Sequence, residues 1–580
     1  MNRTEMDITR PMLVAPSLPP MTRNRVLLAA VAIGLVAVWL RFWNISATFE
    51  SSDQAAMAYL VRHSFGFRWI FAHDYGPVLP VIHLIVAGFC RLAGWPMGEA
   101  VARLPMALLG LVQVAATIAL MRRLGRSWVE GLLAAAVCAV LPPLVAGGHY
   151  PWGYNTIWLL TGTLALWATL SWIDEPRRRW LLLAAVALAL HCLSGLYSLA
   201  LPLTLLLAWG GRRQQPESIT SSAATAADRP PAKRMVGFLM GFVFPCLFAL
   251  VVIAVSWYQT GGGQVGRLLG KTEMGTLGWH PEQILQLPEL WVSQLGYIYG
   301  LVAAAGLLHG AILLCRRRRE GLLAFWAFVG LLPLLLLARW DRIGYPAHYF
   351  YEVIYPSTLL GVVLLAAMWR AANRTWRGVA IVAAGLSLGQ LALGSAGVCL
   401  PGTPFRTWTG IATGWGNVRP DSGAKAAGFY VREHVPEETI ILALHTNDGM
   451  ELPVAEYYLG RKVLADYVLP PAAASRLVNQ FHPTVDVFIV EAEQAGLVET
   501  LPEFRRVATF DRDGEMVRLI YARRSLALPE VRDEITRCNA LYDERYRPRR
   551  VPLPLPAPDH FLTVLERYQE AVRNCKETAP

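Results

Sequence analysis

A polytopic α-helical membrane protein with a C-terminal α/β domain is the fold class predicted by this sequence, on three observations. Of the 580 residues, 54% are hydrophobic and 16% charged, and the mean hydropathy is +0.37, a balance that soluble domains do not show. Arginine clusters recur between long apolar runs, as the cytoplasmic anchors of spanning helices do. From Pro401 onward the apolar runs stop and short helical and strand patterns take over.

The formal charge of +11 is confined to those short clusters, which argues against a nucleic-acid partner. Residues 1–22 hold charge, threonine and prolines before any apolar run, so they read as a disordered cytoplasmic tail rather than a signal peptide. Cys90, Cys138, Cys192, Cys246 and Cys315 lie in or beside apolar segments without metal-ligand spacing and read as small hydrophobes.

Residues 23–400 form the membrane part. Val26 to Leu40 is the first span, followed by Arg41, Phe42 and Trp43, an aromatic and basic interface anchor. Pro80 to Cys90 is apolar but short of the roughly 20 residues a crossing needs, so it predicts an interfacial or re-entrant helix. Leu104 to Met121, Trp128 to Ala146 and Thr156 to Ile173 follow as spans. Trp180 to Ala208 reads as a hairpin of two short ones broken near Ser194. Residues 212–234 read as a disordered cytoplasmic loop. Met235 to Trp257, Leu295 to Leu314, Leu322 to Leu337, Ser357 to Trp369 and Val379 to Val398 bring the total to about eleven. An odd count with the N-terminus inside places residues 401–580 outside the cytoplasmic (inner) membrane.

In the α/β domain, 401–525, a helix is expected at Ala424 to His434 and a strand at Thr439 to Leu444. A helix–strand pair follows in Val454 to Tyr467, then a strand at Val485 to Val490 and a hairpin of Phe504 to Phe510 with Met516 to Ala522. The tail, 526–580, reads as two helices carrying Cys538 and Cys575. Two cysteines on a polar exported tail predict a disulfide.

The expected topology gathers several loops on the outer face. The first, within 49–103, supplies Glu50, Asp53, His73 and Asp74, and the second supplies His149, Tyr154 and Asn155. Later loops bring Arg267, Lys271, Arg342, Tyr345 and His348. Each group has a plainer reading beside the chemical one. Ser51, Ser52 and Asp53 are good helix caps, aromatics at loop ends form interfacial belts, and loop arginines can be merely solvated. Carboxylates facing cations at a lipid interface are also what a base and a phosphate site would require.

Ser52-Asp-Gln-Ala55 after the first span, Tyr75-Gly-Pro77 before an amphipathic segment, and Glu99-Ala-Val-Ala-Arg103-Leu-Pro105 opening the next span resemble the GT-C glycosyltransferases. The resemblance is to the polyprenyl-phosphate-sugar branch that includes the protein O-mannosyltransferases and the lipid A aminoarabinose transferase. It runs from about Val26 to Ala522 and takes in Tyr345 to Pro356 and Glu456-Tyr-Tyr-Leu-Gly-Arg461. The resemblance implies an inverting transfer, in which a polyprenyl-phosphate-linked sugar enters from the bilayer and a glycan, lipid or protein acceptor comes from the water. Asp53, with Glu50 beside it, is then the catalytic base. Arg267, Lys271, Arg342, His348 and Tyr345 are the donor-phosphate ligands, and His149, Tyr154, Asn155, His73 and Asp74 face acceptor or sugar. Many relatives carry Asp-Glu where this chain has Asp53-Gln54, and an acid in the second loop, so a divalent metal stays an open expectation and no other cofactor is expected. A lipid-linked-sugar flippase, an O-antigen-ligase-like enzyme and a non-catalytic scaffold are the competing readings.

Overall fold

The computed structural model describes residues 22–50, 55, 77–95, 98–151, 153–194, 200–210, 231–259, 285, 287–336, 350–371, 373–413, 418–445, 450, 452–465, 471–546, 555 and 557–577. The membrane part opens with helices α1 (Arg23–Phe42), α2 (Val78–Ala93), α3 (Glu99–Arg123), α4 (Trp128–Ala139), α5 (Pro142–His149), α6 (Tyr154–Asp174), α7 (Arg178–Ser194) and α8 (Ala200–Gly210). Pro231–Phe238, a π-helical turn at Leu239–Val243 and Phe244–Gln259 then follow without a break as α9. After it come α10 (Leu287–Leu295), α11 (Tyr297–Cys315), α12 (Gly321–Leu336), α13 (Tyr351–Arg370) and α14 (Arg374–Cys399).

Among the described residues, seven helices are long and apolar enough to cross a membrane, or eight if the bent pair α4–α5 is one span. The shorter rods α7, α8 and α12 coincide with the remaining spans read from sequence. The 16 residues of α2 reach about 24 Å, less than a hydrocarbon core. Leu79, His83, Ala87 and Cys90 face inward while Val81, Ile85, Phe89 and Leu92 are exposed, the two-sided pattern expected for it.

The span expected from Trp128 to Ala146 is broken by a 55° bend between α4 and α5. A capping box of Ser127 and Glu130 starts α4, and Pro142 and Pro143 start α5. Proline has no N–H, so neither can donate to the carbonyl four residues back, at Cys138 or Ala139. The Arg41 guanidinium fills that gap, with Nη2 donating to Cys138 O at 3.2 Å and Nη1 to Ala139 O at 3.1 Å. Arg41 is therefore not the interface anchor predicted from its place at the end of an apolar run: it is fully buried and mends a broken helix. Gly110 and Gly148 leave it room, since a Cβ at either would come within about 3 Å of the Arg41 side chain.

The α/β domain is built on a five-stranded mixed sheet of order β1-β2-β4-β3-β5, from Ile441–Ala443, Val487–Glu491, Phe504–Arg512, Glu515–Arg523 and Val531–Glu534, numbered β1 to β5 in chain order. The predicted hairpin is β3 with β4, turning at Asp513 and Gly514, both in the left-handed region that a two-residue hairpin turn requires. The predicted helix is α15 (Ala424–His434); α16 (Leu452–Leu459) and α17 (Pro471–Phe481) follow, and among the described residues the strand expected before Tyr467 is represented by a bridge from Leu464 to Leu442. The sheet continues past the expected boundary at 525, because β5 pairs in parallel with β3.

Alternation along the strands sends Ile441, Ile489 and Ile520 to one face and Leu442, Phe488 and Leu519 to the other. The first face is covered by α15, α16 and α18 (Ile535–Arg545), the second by α17 and α19 (Phe561–Glu577). This corrects the predicted Cys538–Cys575 disulfide. Cys538 is buried on the first face, whereas α19, which carries Cys575, packs through Phe561, Val564 and Tyr568 on the second. A whole sheet separates the two helices, whereas a disulfide needs Cα atoms within roughly 7 Å. Cys538 is accordingly a free thiol.

Candidate functional site

Of the predicted site residues, Glu50, His149, Tyr154 and Asn155 are described. Asp53, His73, Asp74, Arg267, Lys271, Arg342, Tyr345 and His348 lie outside the described residues. The described end of the first loop, Trp43 to Glu50, is held from three directions.

The first hold comes from α3. Arg103, buried near its start, spreads its guanidinium over four carbonyls. Nε donates to His149 O at 3.0 Å, Nη1 to Ile45 O at 3.0 Å and to Ala47 O, and Nη2 to Thr48 O at 3.4 Å. The same group stacks over the Phe49 ring, 5.0 Å from its centroid. Only a planar fork with five donors can serve so many acceptors at once.

The second hold comes from the α/β domain. Tyr458, on α16, accepts the Phe49 amide at 2.9 Å and donates to Glu99 Oε1 at 3.1 Å. Lys425 on α15 reaches the same Glu99 oxygen at 3.0 Å and Asp543 at 2.6 Å. Burial, with Glu99 close by, holds the Tyr458 hydroxyl in its neutral, donating form far above its ordinary pKa.

The third hold is the turn Asp421-Ser422-Gly423. Thr48 Oγ1 donates to Asp421 Oδ2 at 2.7 Å, and the Ser422 amide donates to Glu50 Oε1 at 3.3 Å. Gly423 has a φ of +77°, and a Cβ there would come 2.9 Å from the Arg518 Cβ. Arg518 donates through Nε to Ser422 O at 3.0 Å, with Glu491 3.8 Å away. Burial, reinforced by Asp421, raises the Glu50 carboxyl well above the usual carboxylate range. Burial thus favours the protonated form of Glu50, which can donate a hydrogen bond.

The second-loop residues have other surroundings. His149 Nε2 donates to Leu40 O at 2.8 Å, tying α5 to the end of α1. Tyr154 packs among Leu79, Met106 and Ile157. Asn155 is buried, and neither atom of its amide has a hydrogen-bond partner among the described residues, which marks a place for water or a ligand.

Beneath the loops, among α6, α7, α12 and α13, lies a polar pair. His191 Nδ1 donates to Trp158 O at 2.9 Å, while Nε2 accepts from Trp158 Nε1 at 3.0 Å and lies 3.5 Å from Glu352 Oε1. Glu352 escaped notice because nothing in the sequence points to its partner. Tyr458, Lys425 and Arg518 were missed for the same reason. Among the described residues no three His, Cys, Asp or Glu side chains gather as metal ligands would.

Residues 76–226 match the family described as dolichyl-phosphate-mannose-protein mannosyltransferase. No curated protein matches the chain in sequence. Among solved structures, the Archaeoglobus fulgidus oligosaccharyltransferase AglB, in complex with an inhibitory peptide and a dolichol-phosphate, matches at 12% identity and a TM-score of 0.51, over 81% of this chain and 70% of that one. ArnT from Cupriavidus metallidurans in the apo state matches at 15% identity and a TM-score of 0.50, over 86% of this chain and 98% of that one. At such identities the likeness speaks to fold, and it extends through both the helical part and the α/β domain. The matched segment is about a quarter of the chain, and the solved structures show a shared fold: a polytopic helical part followed by an α/β domain.

Proposed function

We propose that the chain is an inverting transferase that moves a sugar from a polyprenyl-phosphate donor to an acceptor hydroxyl at the outer face of the cytoplasmic membrane. Its N-terminus is then inside and its α/β domain outside, as the arginine clusters require. The observation that carries this reading is the triple hold on Trp43 to Glu50: a GT-C chain invests Arg103, Tyr458 and the Asp421 turn in fixing the segment that runs on to Asp53.

In this mechanism the acceptor oxygen attacks the anomeric carbon as the bond from that carbon to the phosphate oxygen breaks on the opposite side. Asp53 takes the hydroxyl proton, and the polyprenyl phosphate leaves with the electron pair. Arg267, Lys271, Arg342, His348 and Tyr345 stabilise the charge that gathers on it. Glu50, which accepts from the Ser422 amide, holds the loop to the α/β domain just ahead of Asp53 in the chain. Asn155 is the second-loop residue assigned to acceptor or sugar, with His73 and Asp74 of the first loop, while His149 and Tyr154 hold the helix ends around it. The acceptor is a glycan, a lipid or a protein, and the bilayer itself delivers the donor.

Transfer from a polyprenyl-phosphate sugar by the purified protein tests the reading. Asp53→Asn should lower the rate by ~10²–10⁴-fold, the usual contribution of a positioned base. Arg267→Ala, Lys271→Ala and Arg342→Ala should mainly raise the KM for donor. Near-wild-type turnover by Asp53→Asn would reassign the base, and a wild type that consumes no lipid-linked sugar would overturn the function.

A further inference from the structure

The α/β domain touches the first loop at its most constrained point, and the contact runs through one phenol. Tyr458 is fully buried and its oxygen serves two partners that belong to different parts of the chain. It accepts from the Phe49 amide at 2.9 Å, in the loop, and donates to Glu99 Oε1 at 3.1 Å, in the first turn of α3. The Phe49 ring lies edge-on to Tyr457, with centroids 5.3 Å apart, and under the Arg103 guanidinium. Lys425 and Asp543 anchor Glu99 from the domain side.

Arg103 already binds the carbonyls of Ile45, Ala47 and Thr48, so those bonds alone would secure the exit from α1. Tyr458 acts one residue further on, at Phe49, and nothing on the membrane helices duplicates its bond to that amide among the contacts described. We propose that Tyr458 is a positioning residue for sugar transfer, through which the α/β domain sets the backbone at Phe49 and Glu50 and so the segment leading to Asp53. This rests on the transferase reading above and adds that the α/β domain is a working part of the site, not only a neighbour of it. Asp53 follows Glu50 by three residues, so it can lie no further than about 11 Å from the segment that Tyr458 fixes. Displacing a reacting group by about 1 Å commonly costs on the order of 100-fold in rate.

The test is Tyr458→Phe, which keeps the ring and removes both hydrogen bonds. In the full-length protein, kcat for transfer should fall by about 10- to 100-fold while the donor KM stays within about twofold. Hydrogen exchange of the peptide spanning Phe49 should speed up, with peptides of the β2–β4 sheet unchanged. Glu99→Gln, which keeps an acceptor for the phenol, should retain more turnover than Tyr458→Phe. If Tyr458→Phe unfolds, Tyr458→His, which offers a ring nitrogen near the same place, and Glu99→Gln carry the same kcat and exchange measurements. Unchanged kcat in a folded variant, or equal losses in kcat and in sheet protection, would overturn the proposal. A wild type without transfer activity would instead overturn the transferase reading, and the exchange comparison would still decide whether Tyr458 fixes Phe49.

Discussion

Arg41 does for the α4–α5 bend what Pro142 cannot: it donates to the Cys138 carbonyl that a helical amide at position 142 would have bonded. Its second arm does the same for Ala139 in place of Pro143. Arg41→Met should therefore strand two carbonyls in an apolar setting and lower stability by about 2–3 kcal/mol. Arg41→Lys should recover part of the loss, since an ammonium lacks the planar fork. Thermal unfolding of the purified protein checks both; a Met variant as stable as wild type would mean that water or another side chain mends the bend.

Glu50 gives a pH dependence whose sign follows from its raised pKa. The folded state holds this proton more tightly than the unfolded chain does, so the contribution favours folding below the ordinary carboxylate range. It is lost as pH rises from that range through the raised value. Glu50→Gln should flatten this part of the stability profile and be the more stable protein at its alkaline end. Melting temperatures measured against pH for the two proteins read the difference, and parallel curves would show that Glu50 is not the group responsible.

Lys425 stands between Glu99 and Asp543, and both the Lys425 and Glu99 side chains are buried. Lys425→Met should cost about 3–5 kcal/mol by leaving Glu99 charged and buried. Adding Glu99→Gln should restore much of it, because the carboxylate then left without Lys425, Asp543, is partly exposed to water. A double variant as unstable as the sum of the two single ones would show that the groups do not act on each other.

Cys538 should stay reduced without any reductant. Burial, with Asp533 adding to it, pushes its thiol up to about 12, so little reactive thiolate forms in the folded protein. A maleimide should label it only after unfolding, in samples never exposed to dithiothreitol. A Cys538 that reacts only after reduction would reinstate a disulfide.

Elements governed by local chemistry were legible. Ala424 to His434 opens on Ala-Lys-Ala-Ala and closes on Arg-Glu-His, and Asp513-Gly514 dictates a tight hairpin turn, so both were readable in advance. Strand β5 was not, because Val531-Arg-Asp-Glu534 has one apolar residue and owes its conformation to pairing with β3. Arg41 misled because an arginine after an apolar run commonly reaches for the interface, and the two prolines that call it inward lie about a hundred residues away. In the site, Glu99 and Arg103 stood out as a motif, yet their work was hidden. Their partners Lys425, Tyr458 and Thr48 are brought to them only by the assembled fold.

The Phe49–Tyr458 bond also orders events in time. Its two ends are 409 residues apart in the chain. At the usual 5–20 residues per second of synthesis, the amide leaves the ribosome about 20–80 s before the phenol does. Over that interval α1, α3 and the helices after them can insert and pack, while Phe49 still lacks this partner. The membrane part is thus made first and the segment at Phe49 tightened last, by a domain translated after it. A cell making this chain holds no finished site until nearly four-fifths of it has been translated.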